Sequence, residues 1–350
     1  MKRVIKLVLV PVLLLCAGGM ATAQPFSALW IFGDSTVDTG WYITASSGED
    51  NYDYYLHHQP PLGVGKPTTS PDPMSVEVLA TAIGLSAIPA NQTNGTNYAT
   101  GGAKDFRKNL ATGDGFPGAV PTVTQIKTYL TAKQSQASST ALYVISSGDN
   151  DVTFALKHPG NKDYLAKAAN SLANEINTLQ QDGAKFILVA GLTQSFGSTA
   201  QKRKFRLIYN TKLRQKLKSL GVNYLWGNRN QVRKLIESVA NPFGITNFTI
   251  GSTMCSGTCS ACPVPMPDAH VQPAITTDWA YVCSTTTDAP SMPTNAAASE
   301  WADDNHYAAG GQKVLGTYFY CAAKNKWPTL SWNNNPTLPF DCTTVALAGK

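Results

Sequence analysis

The stretch Ala28-Leu29-Trp30-Ile31-Phe32, followed at once by Gly33-Asp34-Ser35-Thr36, decides the fold of this chain. Its apolar residues do not alternate with polar ones, and a turn former closes it. That is the pattern of a strand buried on both faces of a parallel sheet. Similar runs follow. Asn97 to Thr100 precedes Gly101-Gly102, Ala141 to Ile145 precedes Ser146-Ser147-Gly148, and Phe186 to Ala190 precedes Gly191; Val222 to Trp226 is a fifth. Helical periodicity fills the intervals. Leu165, Ala168, Ala169, Leu172, Ile176 and Leu179 fall on one face of Tyr164 to Leu179, with Asp163 as expected N-cap and Gly183 as stop. Arg203 to Leu220 repeats the pattern and ends at Gly221. Alternating strands and helices predict an α/β protein, a three-layer α/β/α sandwich around a parallel sheet. In such sheets ligands bind at the carboxyl ends of the strands.

The N-terminus reads differently. Lys2, Arg3 and Lys6 precede an apolar run from Leu7 to Cys16, and Ala21-Thr22-Ala23 precedes Gln24. This is the layout of a secretory signal peptide over residues 1–23. A lipoprotein reading at Cys16 is opposed by the bulky Leu15. Residues 24–350 are then the mature chain, expected to be exported to the medium or the periplasm. The formal charge of +6 falls to +3 once the three basic residues of the leader are gone. That excess gives no argument for nucleic acid or an anionic membrane as partner. The mature chain keeps six cysteines, Cys255, Cys259, Cys262, Cys283, Cys321 and Cys342. An even number in an exported chain predicts disulfides. Zinc on the trio Cys255, Cys259 and Cys262 is the competing reading, weakened by the lack of a histidine among them. Two segments break the alternation, Trp41 to Pro73 and Asn241 to Glu300, and both read as long irregular excursions.

Several loops carry residues with chemistry. Ser35 falls at the carboxyl end of the first strand, and a helix beginning next would aim N–H groups at it. As a plain turn, Gly-Asp-Ser is common. A serine nucleophile needs a base. Of the mature histidines His57, His58, His158, His270 and His306, only His306 has a carboxylate at a telling distance, Asp303, with Asp304 as competitor. Such a carboxylate holds the imidazole tautomer. Asn150, in Gly148-Asp149-Asn150-Asp151, offers a side-chain amide, and Gly101 or Gly102 offers a backbone N–H, for an oxyanion. Thr193-Gln194-Ser195-Phe196-Gly197 imitates a nucleophile elbow but lacks its first glycine, so Ser195 reads as loop. His57-His58 and the basic run Lys202 to Arg206 read as solvated.

Taken in order, these blocks resemble the GDSL, or SGNH, esterases and lipases, in their plant-like and bacterial secreted branch. Gly33-Asp34-Ser35 is similar to the first block, Asn97 to Gly102 to the second, Gly148-x-Asn150-Asp151 to the third and Asp303-x-x-His306 to the last. Phe32 to Gly40, Asn210-x-x-Leu213 and Asn241 to Asn247 extend the likeness over nearly the whole mature chain. The resemblance implies a flavodoxin-like SGNH fold and a carboxylic ester hydrolase. It implies Ser35 as nucleophile, His306 and Asp303 as partners, and an oxyanion hole of the Ser35 and Gly102 N–H groups with Asn150. No cofactor or metal is implied. The expected partner is a small-molecule or lipid ester, or an acetylated glycan. A non-catalytic glycan- or lipid-binding protein on this fold is the alternative from another class. Three positions depart from the pattern: Thr36 replaces leucine, Trp41 stands where asparagine is frequent, and Tyr307 follows His306 in place of proline.

Overall fold

The computed structural model describes residues 24–41, 66–68, 72–108, 119–161, 163–193, 199–236, 244–246, 296–302, 306–332, 338 and 342–343. Among the described residues, four parallel strands form one sheet in the order β1 (Leu29–Gly33), β2 (Leu142–Ser146), β3 (Phe186–Ala190) and β4 (Leu225–Gly227). The register sets Gly33 beside Ser146 and Ser146 beside Ala190, so the strands end level. On the free side of β1, Asn97 makes a single parallel bridge with Ile31, through Ile31 N to Thr96 O and Tyr98 N to Ile31 O. Counting that bridge as a position, the order becomes 2-1-3-4-5, the doubly wound flavodoxin-like arrangement.

The helices are α1 (Ser75–Ala82), α2 (Thr122–Ala132), α3 (Asp149–Lys157), α4 (Tyr164–Gln181), α5 (Ala200–Ser219), α6 (Arg229–Ile236) and α7 (Ala309–Lys326). Alternate strand residues face opposite layers, as the pleat requires. Leu29, Ile31, Leu142, Val144 and Leu188 pack with Leu79 of α1, Val232 of α6, and Leu315 and Phe319 of α7. Phe32, Tyr143, Ile145, Ile187 and Val189 pack with Tyr129 of α2, Leu172 and Ile176 of α4, and Leu213 and Leu217 of α5. The expected three-layer α/β/α sandwich is therefore the observed one. Because α1 and α2 lie on opposite faces, the winding reverses between β1 and β2. That is the topological switch point, where ligand crevices form.

Several expectations need correction. No helix follows Ser35 directly: residues 35–37 form a turn, closed by Val37 N donating to Asp34 O. The Asn97 to Thr100 run contributes two isolated bridges from Asn97, to Ile31 and to Pro89, not a strand. The strand expected at Val222 to Trp226 begins at Leu225. Asp163 does occupy the N-cap of α4, but its side chain makes no capping bond; Thr199 caps α5 through Lys202 N. Arg206, read as part of a solvated run, is buried.

Cys321 is disulfide-bonded to Cys342. Cys255, Cys259, Cys262 and Cys283 lie outside the described residues, as do His57, His58, His270, Ser195, Asp303, Asp304 and most of both excursions. No described helix is long and apolar enough to cross a membrane.

Candidate active site

The residue that ends β1 is clamped. Gly33 N donates to Gln125 Oε1 at 2.8 Å, and Gln125 Nε2 returns a bond to Gly33 O at 2.9 Å. Asp34 N then donates to Ser146 O at 3.0 Å, which ties the loop after β1 to the end of β2. Ser35 sits on this fixed turn with 9% of its surface exposed, so it borders solvent without projecting into it. The Asp34 carboxylate accepts from Thr36 N at 3.0 Å and Thr36 Oγ1 at 2.7 Å, and Thr36 Oγ1 also lies 2.7 Å from Ser146 Oγ. Thr36, which sequence reasoning left without a role, is thus the polar pin of the Ser35 turn. Burial first, and then the charge of Asp149, raise the Asp34 pKa to about 6 against the opposing pull of Thr36 and Arg229.

The second loop is bound to the first. Asn97 donates to Val37 O at 2.7 Å and to Thr39 Oγ1 at 2.9 Å, and its Oδ1 accepts from Ala99 N at 2.9 Å. Thr100 N donates to Gly33 O at 3.1 Å. Asp38 accepts from Gly40 N and Trp41 N through Oδ1 and from Gly101 N through Oδ2, at 2.7–2.8 Å. The Gly101 N–H is therefore engaged by Asp38. Gly102 itself is buried at φ +76°, a conformation that disfavours a side chain.

The third loop opens α3. Asn150 lies in its first turn, and its amide nitrogen donates to Ala103 O at 3.0 Å. One of its two N–H groups thus grips the residue after Gly102 and fixes the orientation of the amide. Beneath it lies a buried acid network. Asp105 accepts from Ser147 Oγ at 2.7 Å and Tyr209 OH at 2.6 Å, while Asp151 accepts from Tyr164 OH at 2.8 Å and Asp105 N at 2.9 Å. Burial raises both carboxyls of this pair, with the charge of Asp151 adding to the rise at Asp105 and the charge of Asp34 to the rise at Asp151. Asp149 behaves oppositely. Burial opposes its charge, but Arg206, Arg229 and Lys202 outweigh burial and hold it below the usual carboxylate range.

The fourth loop carries His306, 3% exposed. Its backbone O accepts from Ala302 N at 2.8 Å, Ala308 N donates to Glu300 O at 2.9 Å, and Trp301 bridges Tyr307 in antiparallel fashion. Tyr307 stacks on Trp301 with centroids 4.3 Å apart, and Thr68 Oγ1 donates to Tyr307 O at 2.8 Å. The departure from proline thus supplies an aromatic anchor beside the histidine. Val37, Ala99, Trp301 and Tyr307 share one buried cluster, which draws the first, second and fourth loops to the same end of the sheet. Asp303, the expected orienting carboxylate, lies outside the described residues.

A doubly wound α/β protein whose serine, asparagine and histidine loops are tied together at the carboxyl end of the sheet defines a class, and comparison with known proteins narrows it. The profile of the GDSL-like Lipase/Acylhydrolase family matches residues 29–319. The chain belongs to that family. Acetylajmalan esterase 2 of Rauvolfia serpentina is 28% identical over 201 residues, 49% of this chain and 54% of that protein. A GDSL esterase/lipase of Arabidopsis thaliana is 26% identical over 314 residues, 69% of this chain and 83% of that protein. The chain spans about half the length of the first of these relatives. Among solved structures, a catalytic mutant of an acetylxylan esterase from Geobacillus stearothermophilus shares 15% identity at a TM-score of 0.36, covering 64% of this chain and 85% of that one.

Proposed function

We propose that the protein is an exported serine esterase that hydrolyses carboxylic esters through an acyl-enzyme. The observation that carries this reading is the seating of Ser35 on a rigid turn at the switch point, flanked by the Gly102 turn and by Asn150. In the reaction, His306, oriented by Asp303, takes the Ser35 proton as Oγ bonds to the ester carbonyl carbon. The carbonyl electrons move onto oxygen, where the Ser35 and Gly102 N–H groups and the Asn150 amide hold them. Collapse breaks the bond to the alcohol oxygen, which receives the proton from His306. Water then attacks the acyl-serine with His306 again as base, releasing the acid and restoring Ser35. The Ser35 proton leaves with the alcohol and a proton of the attacking water replaces it, so the cycle closes on the residues named.

A short acyl group is the first substrate to try, because one relative is named for an acetyl ester. The test is hydrolysis of nitrophenyl esters from acetyl to dodecanoyl, beside an acetylated glycan and a phospholipid, by the wild type and by Ser35→Ala. Turnover on at least one substrate, lost in Ser35→Ala with an unchanged melting curve, is the expected result. Absence of turnover on all of them would favour a non-catalytic binding protein on this fold.

A further inference from the structure

Arg229, the first residue of α6, is 1% exposed and among the largest fully buried side chains of the protein. A buried guanidinium is expensive unless other groups compensate it. Its surroundings come from three different loops. Nη1 lies 3.9 Å from Asp149 Oδ2, the residue before Asn150. Cζ lies 5.6 Å from the ring centroid of Tyr307, the residue after His306. Its charge also acts on Asp34, the residue before Ser35. Asp149 has a closer partner of its own, because Arg206 Nε donates to its Oδ1 at 2.7 Å from a side chain only 3% exposed.

We propose that Arg229 is a positioning residue that locks the histidine loop to the oxyanion helix, through Tyr307 on one side and Asp149 on the other. This rests on the esterase reading above and deepens it. The oxyanion and the imidazolium form in the same step, so their separation must be right at that moment and not merely on average. Asn150 rides on α3, whose first residue is Asp149, and His306 rides on the strand-like turn that Tyr307 anchors. A brace between the two neighbours fixes the spacing without touching substrate. Such a brace acts on kcat more than on KM, because the misplacement it prevents matters chiefly in the transition state.

Four variants test it: Arg229→Met, Arg229→Lys, Asp149→Asn and the double variant Arg229→Met with Asp149→Asn. Active sites are titrated with a phosphonate, so that kcat refers to folded, reactive protein. A small misplacement of reacting groups costs up to about 10²-fold. Arg229→Met is therefore expected to lose roughly 10- to 100-fold in kcat with KM within about 3-fold, and Arg229→Lys to recover part of that loss. The double variant should be no slower than its slower parent, because both changes cut one brace. Amide exchange at Val152 and Ala308 reads the brace without any ester, and the brace predicts faster exchange at both sites in Arg229→Met. Should Arg229→Met fail to fold, Arg229→Lys and Asp149→Asn carry the same two readings. A normal kcat per titrated site, whatever the melting temperature does, would overturn the proposal, as would exchange unchanged at both sites. Wild type without turnover or phosphonate adduct instead points to failure of the esterase reading, and the exchange result still decides on the brace.

Discussion

Asn150 has two N–H groups, and one of them donates to Ala103 O. The same side chain therefore orients its second N–H and steadies the turn that carries Gly102. Asn150→Ala is expected to weaken both oxyanion donors while leaving Ser35 and His306 in place. Removing one such donor costs about 10²–10³ in rate. The loss in kcat should reach at least that range, with phosphonate labelling slowed but complete. Near-normal kcat with only a raised KM would make Asn150 a binding or turn residue. At this scale the sequence showed residue types better than it showed their partners. Asn150 and Gly102 stood out because they follow predicted strands, and His306 because Asp303 stands three residues before it. Thr36 and Tyr307 stood out only as departures. Their roles depend on contacts with Ser146 and Trp301, distant in the chain or hidden by the turn, and no local pattern announces them.

Elements were legible where burial alone decides them. β1, β2 and β3 read correctly because a strand covered on both faces must be apolar throughout. The misreadings came where side chains and helix ends compete for backbone groups. The expected helix after Ser35 is replaced by a turn, because the Asp34 and Asp38 carboxylates take the N–H groups of Thr36, Gly40 and Trp41. β4 starts late because Gly221 and Val222 donate back to Lys218 and Leu217 in closing α5, and Asn223 N donates to Gln180. The junction of α3 with α5 rests on Gly148. It has φ +115°, and an added Cβ would stand 2.4 Å from the Tyr209 ring. Tyr209 cannot yield freely, since its hydroxyl is bound to Asp105. Gly148→Ala should therefore destabilise by about 1–3 kcal/mol or more, the cost of overpacking plus a strained φ. It should also lower kcat, because the start of α3 shifts with it. A chemical melt and a kinetic assay on one preparation check both, and an unchanged melt would contradict this packing.

Over the whole molecule, burial of acids below the crevice links stability to pH. The folded pKa of Asp34 is about 6, above the ordinary value of 3.8, and burial raises the Asp105–Asp151 pair as well. For such groups the folded state binds more protons than the unfolded one, so stability falls as pH rises from about 4 to 7. Asp149 has the opposite sign, with a depressed pKa, so its contribution is lost only in stronger acid, below the ordinary carboxylate value. Stability should therefore peak at about pH 4, where the two windows meet. Asp34 alone accounts for about 3 kcal/mol of the fall toward neutrality, from its shift of roughly two units. Urea melts at pH 5 and pH 7 should show that slope, and Asp34→Asn should flatten it while keeping the bonds from Thr36. An Asp34→Asn protein with the wild-type slope would contradict the assignment.

These acids, the brace at Arg229 and the Asn150 turn all surround one serine, and the account stands on what that serine does. The most direct measurement is mass mapping of the adduct left by a fluorophosphonate on the purified protein. The prediction is a single stoichiometric adduct on the peptide containing Ser35, absent from Ser35→Ala. An adduct on Ser195, or equal labelling of Ser35→Ala, would contradict the account.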